Sequence, residues 1–321
     1  MTMRAAELAV PPLAAILCGA TATGKTALAL ELAAGLPIEV ISADSRQVYR
    51  DLAIGTAKPT AVERAAVTHH LVDILELDAT YDAARFAADA TAAARAIRDR
   101  HRVPLIVGGA GFYLHVLRHG LFEPPYDRAT LHAVRDELAG WSTEALRAAL
   151  LDRDPERAAA IHPHDRYRLG RALEICLAAG ASVTELSRAR IAPGHRFLTF
   201  HLQWTRAELR ARIAARTEAM LAAGWVEEVR ALLDRGMDPE LPGMRTLGYP
   251  AVVAHLRGAT DRAAMVERIG RETRRFARHQ ETWFRKLEDA TAIHPHDVTA
   301  PARVAAILGD AFGIDLGRGL A

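Results

Sequence analysis

The sequence predicts an α/β protein built around a parallel β-sheet, because short apolar runs alternate with segments of helical pattern. The first apolar run, Leu13 to Cys18, has the length and composition of a buried strand. It leads into a glycine-rich loop, and Lys25 to Gly35 then shows the amphipathic pattern of a helix closed by a glycine. A strand, a loop and a helix in this order indicate the first unit of such a sheet.

Further strands and helices follow in alternation. Ile38 to Ser42 is predicted as the second strand and Val103 to Val107 as another buried strand. Between them, the alanine-rich segment from Asp82 to about His101 predicts a long helix, and a shorter helix is expected from about Gly111 to His119. The pattern from Leu71 to Leu75 also predicts a strand.

The pattern changes between residues 123 and 195. Pro124-Pro125 and Pro193-Gly194 bracket a stretch that has helical periodicity and no convincing strand. We therefore predict a core made of residues 1–122 and 196–321, interrupted by an all-helical insertion domain, 123–195.

After the insertion, Phe197 to Gln203 predicts a strand that returns to the sheet. Thr205 is a predicted N-cap, and Glu208 completes a capping box for a long helix. The rest of the chain is predicted to be mostly helical.

The amino-acid composition limits the classes of protein to which the chain can belong. The chain has 321 residues, 50% of them hydrophobic, and a net charge of only +2, so any nucleic-acid surface must be a local patch. The two cysteines, Cys18 and Cys176, exclude a disulfide scaffold or a zinc site built on cysteine pairs, and they fit a reducing cytoplasm. The apolar N-terminal run is broken by Pro11 and Pro12 and is too short to span a bilayer. We expect a cytoplasmic protein with no membrane segment.

The glycine-rich loop carries a complete phosphate-binding motif. Its residues are Gly19, Ala20, Thr21, Ala22, Thr23, Gly24, Lys25 and Thr26, which fit the pattern G-x-x-x-x-G-K-[ST]. Backbone N–H groups and the positive end of the following helix attract an anion. Lys25 adds a full charge, and the Thr26 hydroxyl is a predicted Mg²⁺ ligand. The motif predicts a bound phosphate chain without specifying ATP.

The acidic residue that nucleotide-hydrolysing phosphate loops place on a neighbouring strand is not evident. The strand Val103 to Val107 ends in Gly108-Gly109, whereas Ile38 to Ser42 leads to Asp44 within a polar cluster. Strand ends of this type bind ligands in α/β proteins. A carboxylate beside a phosphate site acts as a general base or helps to hold the metal, and both roles stay open for Asp44.

Several motifs, in order along residues 13–287, resemble those of the tRNA dimethylallyltransferase (isopentenyltransferase) family. They are Gly-Ala-Thr-Ala-Thr-Gly-Lys-Thr at 19–26, Ser-Ala-Asp-Ser-Arg-Gln-Val-Tyr at 42–49, Ile-Gly-Thr-Ala-Lys-Pro at 54–59, Val-Gly-Gly-Ala-Gly-Phe-Tyr at 107–113, Arg-Tyr-Arg-Leu-Gly-Arg-Ala-Leu-Glu at 166–174, Met-Leu-Ala-Ala-Gly-Trp at 220–225, Arg-Thr-Leu-Gly-Tyr at 245–249 and Arg-Phe-Ala-Arg-His-Gln-Glu-Thr-Trp-Phe-Arg at 275–285.

The resemblance implies a core like that of nucleoside-monophosphate kinases, dependence on Mg²⁺, and alkylation of the N6 amine of adenine 37, beside the anticodon of tRNA. The phosphate loop would hold the diphosphate of dimethylallyl diphosphate. By analogy, Asp44 would accept the N6 proton, and Lys25 and Arg245 would neutralise the leaving diphosphate. We also expect a monomer.

An arginine stripe adds to the expected tRNA surface. Arg271, Arg274, Arg275 and Arg278 recur at helical spacing and would form one basic face suited to phosphates. Gln47 and Ser45 are expected to hydrogen-bond the flipped adenine. The full set of residues expected at the tRNA comprises Asp44, Ser45, Arg46, Gln47, Thr56, Lys58, Ala110, Tyr167, Arg168, Leu169, Gly170, Arg171, Arg245, Thr246, Leu247, Gly248, Tyr249, Arg271, Arg275 and Arg278.

Ala110 departs from the family, which usually has threonine there, and its missing hydroxyl would weaken a contact to the tRNA or the diphosphate. Three other functions remain to be weighed. A small-molecule or nucleotide kinase shares the core, a relative that prenylates free adenine nucleotides shares the chemistry, and a non-catalytic RNA-binding module would not need an intact phosphate loop together with Asp44.

Overall fold

Six parallel strands form the sheet in the computed structural model, which describes residues 12–123, 125–190, 193–287 and 289–314. The strand order is β3-β2-β4-β1-β5-β6. The strands are β1 (Ala14–Cys18), β2 (Ile38–Ala43), β3 (His69–His70), β4 (Val103–Gly108), β5 (Phe197–Leu202) and β6 (Ala290–Ile293). The predicted α/β class with a parallel sheet is confirmed.

Helices connect the strands. They are α1 (Lys25–Gly35), α2 (Ala61–Ala66), α3 (Ala83–Asp99), α4 (Gly111–His119), α5 (Arg128–Leu138), α6 (Thr143–Arg153), α7 (Pro155–Ala160), α8 (Arg166–Ala179), α9 (Val183–Arg188), α10 (Arg206–Ala222), α11 (Trp225–Asp234), α12 (Tyr249–Leu256), α13 (Arg262–Phe284) and α14 (Ala300–Phe312). The predicted bounds of α1 and α4 agree with the structure, and the capping box of Thr205 and Glu208 begins α10 as predicted.

The central strands are buried on both faces, as helices cover both sides of a parallel sheet. In β1, Ala15 and Leu17 pack into one core with α1 and α14, whereas Ile16 and Cys18 pack into the opposite core with α3 and α4. Burial raises the pKa of the Cys18 thiol to about 12. The sheet is therefore a rigid layer whose carboxyl edge carries the phosphate loop.

The chain divides into two compact units. One contains the residues up to Arg118 together with those from Gly194 onward, and the other is His119–Pro193, compared with the predicted limits of 123 and 195. Helices α5 to α9 form the second unit around its own apolar core, which includes Leu146, Leu169 and the buried Cys176. Every helix of this unit begins at an Asp or Ser whose side chain accepts a backbone hydrogen bond.

The structure corrects two sequence predictions about strands. The segment predicted as a strand at Leu71 to Leu75 is a turn, in which Leu71 and Asp73 adopt positive φ angles of 61° and 58°. The strand at this place is β3, which ends at His70 and pairs with β2, and the segment after it contributes one bridge, between Leu75 and Tyr49. The C-terminal part also contains β6, a four-residue strand that is too short to show an alternating pattern. Within the described ranges, no helix is long and apolar enough to cross a membrane.

Candidate functional site

The phosphate loop joins β1 to α1 at the carboxyl edge of the sheet. Gly24 and Ala22 have φ angles of 96° and 64° there. A side chain at Gly19 would approach the Thr23 hydroxyl to 2.9 Å and the Leu202 carbonyl to 3.0 Å, so only glycine fits. The Thr23 hydroxyl donates to the Ala20 carbonyl at 2.9 Å. These local contacts hold the loop in a wrapped form.

Lys25 lies at the centre of this loop. Its Nζ donates to the carbonyls of Gly19 and Ala20 at 3.0 and 2.7 Å. Burial and, to a smaller extent, the nearby Arg216 lower the pKa of Lys25 to about 8, whereas Asp44 opposes the shift. An anion bound in the loop would favour the charged form of Lys25, so protonation of Lys25 and binding of a negatively charged ligand support each other.

A cavity of about 570 Å³ opens in front of the loop. It is lined by residues 21–26 of the loop, by Asp44 and Gln47 after β2, by Gly108 and Gly109 after β4, and by Arg212, Arg216, Phe276 and Gln280 from α10 and α13. Thr26, the predicted metal ligand, is exposed at this cavity, and Val40, Val107 and Phe276 supply apolar wall. The cavity combines an anion cradle with room for an apolar group.

Asp44 is fixed by its own turn. Its Oδ1 accepts hydrogen bonds from the backbone N–H groups of Arg46 at 2.8 Å and Gln47 at 3.3 Å. In the described part of the chain, its Oδ2 has no hydrogen-bond partner, and the residue lines the cavity opposite Lys25 and Arg216. One oxygen orients the carboxyl group while the other stays open to a ligand.

The Gln47 amide is already engaged by the protein. Its Oε1 accepts from the Ser42 hydroxyl at 2.9 Å, and its Nε2 donates to the carbonyls of Ala57 at 3.1 Å and Thr56 at 3.4 Å. The predicted bidentate contact to adenine would require Gln47 to give up these bonds. The structure instead assigns it to bracing the 52–58 loop against β2.

Two arginines at the cavity were missed by the sequence analysis. Arg212 and Arg216 lie one turn apart on α10, so both face the loop. Arg212 Nε donates to the Ala22 carbonyl at 2.7 Å, and burial lowers the pKa of Arg216. Their i, i+4 spacing after β5 was a usable signal, but the many arginines of this chain hid it.

Arg245 does not line this cavity, in contrast to the predicted contact with the diphosphate. Its side chain is 64% exposed and its Nη2 donates to Glu240 at 2.8 Å. The short turn that begins at Gly243 projects it into solvent, and Arg212 and Arg216 supply the positive charge at the cavity instead.

Thr56 and Lys58 are turned into the protein. The Thr56 hydroxyl donates to the Leu52 carbonyl at 2.8 Å. All three donors of the Lys58 ammonium group are taken, by the carbonyls of Tyr49 and Arg50 and by the Asp73 carboxylate. The prediction that these side chains contact substrate is replaced by a role in holding their loop.

The other predicted tRNA residues fall into two groups. Leu169 and Tyr249 are buried in apolar cores, Thr246 is buried with its hydroxyl donating to the Gly243 carbonyl, and Gly248 packs against Trp225. These four residues serve the fold in this structure, and their contact with tRNA stays a prediction. Exposed or half-buried positions are Ser45, Arg46, Ala110, Tyr167, Arg168, Gly170, Arg171, Leu247, Arg271, Arg275 and Arg278. Tyr167 is 81% exposed. Arg271, Arg275 and Arg278 share the solvent side of α13.

Helix α13 also carries a second link to the loop. Gln280 is buried, and its Oε1 accepts from the Thr21 N–H at 2.8 Å while its Nε2 donates to the Gly109 carbonyl at 2.9 Å. The same helix therefore positions the phosphate loop on one face and presents arginines on the other. The described residues contain no cluster of His, Cys, Asp and Glu that would hold a metal by itself.

Comparison with known proteins places this chain among related sequences. A family model described as IPP transferase matches residues 47–287, and one described as isopentenyl transferase matches residues 13–79. A protein named tRNA dimethylallyltransferase from Anaeromyxobacter sp. (strain K) is 47% identical over 292 residues, which cover 90% of this chain and 95% of that protein. The relative of the same name from Alkalilimnicola ehrlichii is 45% identical over 86% of this chain and 88% of its own length.

Solved structures are similar over nearly the whole chain. The tRNA isopentenylpyrophosphate transferase from Bacillus halodurans has a TM-score of 0.68 and 32% identity, covering 93% of this chain and 96% of its own. A eukaryotic dimethylallyltransferase, whose crystals capture it acting on tRNA, has a TM-score of 0.77 and 26% identity over 94% of this chain and 79% of its own. The likeness therefore extends over nearly the whole chain.

Proposed function

This chain belongs to the IPP transferase family, and on that premise we propose that it transfers a dimethylallyl group from dimethylallyl diphosphate to tRNA. The acceptor we propose is N6 of adenine 37, next to the anticodon, giving N6-dimethylallyladenosine and diphosphate. The observation that carries the proposal is one cavity in which Lys25, Arg212 and Arg216 surround the phosphate loop while Asp44 lies beside them.

The positive charges in the cavity are complementary to the negative charge that develops on the leaving group during the reaction. The allylic C–O bond breaks and the N6–C1 bond forms, so negative charge grows on the leaving diphosphate. The loop N–H groups and the cations of Lys25, Arg212 and Arg216 are already in place at that position, where fixed donors lower a barrier most effectively. In this reaction the diphosphate is the leaving group, so the role we propose for the phosphate loop is to bind and stabilise that anion.

Asp44 fits the role of base. Adenine N6 must lose one proton when it forms the new bond, and an exocyclic amine is a weak nucleophile. Oδ2 of Asp44 is the acceptor we propose, with Oδ1 held by the N–H groups of Arg46 and Gln47. A positioned base of this kind contributes roughly 10²- to 10⁴-fold to the rate.

Mg²⁺ is the cofactor we propose for the diphosphate. The Thr26 hydroxyl supplies a hard oxygen atom at the cavity, and Mg²⁺ typically takes one or two protein oxygens and completes its shell with phosphate and water. When bound, the ion would neutralise charge on the leaving diphosphate.

The tRNA contact we propose is the anticodon stem-loop, held by the exposed arginines Arg271, Arg275 and Arg278 on α13. An arginine face of this kind binds phosphates without reading sequence. The adenine must leave its stack to reach Asp44, as in other enzymes that act on a base. We propose that the protein works as a monomer.

The decisive experiment uses the purified protein, Mg²⁺, dimethylallyl diphosphate and unmodified tRNA, followed by mass spectrometry of the nucleosides. We expect N6-dimethylallyladenosine at position 37 only. Parallel reactions contain free AMP, or labelled ATP with small acceptors. Faster modification of AMP would support the free-nucleotide prenyltransferase, and transfer of the γ-phosphate would support a kinase; either result would overturn the proposal.

A further inference from the structure

Trp204, which follows β5, contacts the phosphate loop directly. Its indole Nε1 donates to the Thr23 carbonyl at 2.8 Å, and the ring is half-buried. Thr23 belongs to the loop that wraps the proposed diphosphate. An indole N–H bonded to a loop carbonyl limits the movement of that carbonyl and therefore of the N–H groups around it.

The face of the same ring carries Arg212. The guanidinium carbon lies 4.3 Å from the Trp204 ring centroid, within the range of a cation–π contact. Arg212 Nε donates to the Ala22 carbonyl at 2.7 Å, next to the carbonyl that Trp204 holds. Since Nε is used in this way, the two terminal amino groups are left to face the cavity. One of them, Nη2, would be 3.5 Å from a side chain built on Gly24, at the start of α1.

A third layer lies on the other side of Trp204. The ring of His296 meets it edge to face, with centroids 5.2 Å apart and an angle of 76°. His296 Nε2 is 2.7 Å from Glu208 Oε1. Glu208 also closes the capping box of α10, the helix that carries Arg212. His296 therefore has a structural role beside Trp204.

We propose that Trp204 is a positioning residue that holds Arg212 in place over the phosphate loop. An arginine on an exposed helix face samples many rotamers, and binding a phosphate must first select one of them. A planar guanidinium stacked on an indole and hydrogen-bonded through Nε loses much of that freedom before the ligand arrives. The diphosphate then meets a donor fork that is already oriented.

This proposal rests on the diphosphate site of the proposed function, but it is tested without the transfer reaction. The assay is binding of inorganic pyrophosphate with Mg²⁺ by isothermal titration calorimetry. Trp204→Leu removes both the ring face and the N–H donor, Trp204→Phe keeps a ring face, and Arg212→Ala removes the arginine. We expect Trp204→Leu to raise the Kd about 3- to 30-fold, and Trp204→Phe to raise it less.

The double variant Trp204→Leu/Arg212→Ala separates positioning from general support. If Trp204 acts through Arg212, the double variant binds pyrophosphate within about twofold of Arg212→Ala alone, because the single effects are not additive. Fully additive effects, or an unchanged Kd in Trp204→Leu, would overturn the inference.

Steady-state kinetics give a second readout. Trp204→Leu should raise the KM for dimethylallyl diphosphate and leave the KM for tRNA unchanged, whereas a general loss of structure would alter both. A wild-type protein that binds pyrophosphate but does not prenylate tRNA would refute the proposed function and leave the role of Trp204 standing. If Trp204→Leu does not fold, the graded effect of Trp204→Phe on the Kd decides the case.

Discussion

At the scale of single residues, a substitution at Asp44 should distinguish an effect on catalysis from an effect on ligand binding. Asp44→Asn keeps an oxygen for the N–H groups of Arg46 and Gln47 and removes the basic carboxylate. We expect kcat to fall roughly 10²- to 10⁴-fold while the Kd for pyrophosphate stays within a few-fold. Steady-state kinetics and calorimetry measure the two quantities.

The matched control is Glu63→Gln, which replaces the other carboxylate that lines the cavity and preserves the capping box of α2. It should leave kcat close to the wild-type value. Equal losses of kcat in both variants, or an equal loss of rate and binding in Asp44→Asn, would refute the assignment of Asp44 as the base.

Lys25 gives the site a pH dependence. Burial lowers the pKa of its ammonium group to about 8, so the group is charged below that pH and mostly neutral above it. Binding of a diphosphate above pH 8 must take up a proton, and we expect the affinity for pyrophosphate to fall by up to about tenfold per pH unit there. Below pH 7 the contribution of Lys25 should be constant.

The measurement is the Kd of pyrophosphate from pH 6 to 10, with Lys25→Arg as the control, because arginine stays charged throughout this range. The inflection near pH 8 should be absent from the variant, apart from the titration of pyrophosphate itself. Identical profiles in the two proteins would show that Lys25 is not the titrating group.

At the scale of elements, α13 has two roles, because its helical period places different residues on opposite sides of the helix. Gln280 on one side bonds the phosphate loop, while Arg275 and Arg278 lie in solvent. We expect the double variant Arg275→Ala/Arg278→Ala to weaken tRNA binding and to lower the slope of log K against log salt by about 1 for each lost phosphate contact. The Kd for pyrophosphate should not change.

The control for this experiment is Arg303→Ala. Arg303 is an exposed arginine on α14, a helix that packs against α1, and it forms an ion pair with Asp297. Titrations of tRNA at several salt concentrations compare the three proteins. A salt slope that is the same in all of them would exclude α13 from the tRNA surface.

The elements also show what the sequence could predict. The bounds of α1 and the capping box of α10 followed from local signals, a glycine motif and a Thr-x-x-Glu pattern, which act within a few residues. The strand predicted at Leu71 to Leu75 failed because Asp73 forms ion pairs with Lys58 and Arg64, a contact made across the fold. Likewise, the i, i+4 spacing of Arg212 and Arg216 is shared by other arginines of this chain, so it could not by itself place these two at the cavity and Arg245 in solvent.

At the scale of the whole molecule, the helical unit and the α/β unit have separate cores. Leu169 lies fully buried in the core of the helical unit, so Leu169→Ala should destabilise that unit by about 2–5 kcal/mol. Binding of pyrophosphate to the α/β unit should persist. Thermal unfolding followed by circular dichroism, alongside calorimetry, measures both.

The comparison variant is Tyr167→Ala, which removes an exposed side chain of the same helix and should leave the unfolding transition in place. Loss of pyrophosphate binding in parallel with the melting of Leu169→Ala would contradict the independence of the two cores.

The two buried thiols have a practical consequence. Cys18 and Cys176 are 0% and 3% exposed, and burial raises the pKa of both, so neither sulfur offers a thiolate to a maleimide or a nitroxide reagent. The two natural cysteines should therefore not react with labelling reagents in the folded protein. A cysteine introduced at exposed Tyr167 would carry the only reactive probe, and its fluorescence or spin signal would test whether tRNA reaches the helical unit.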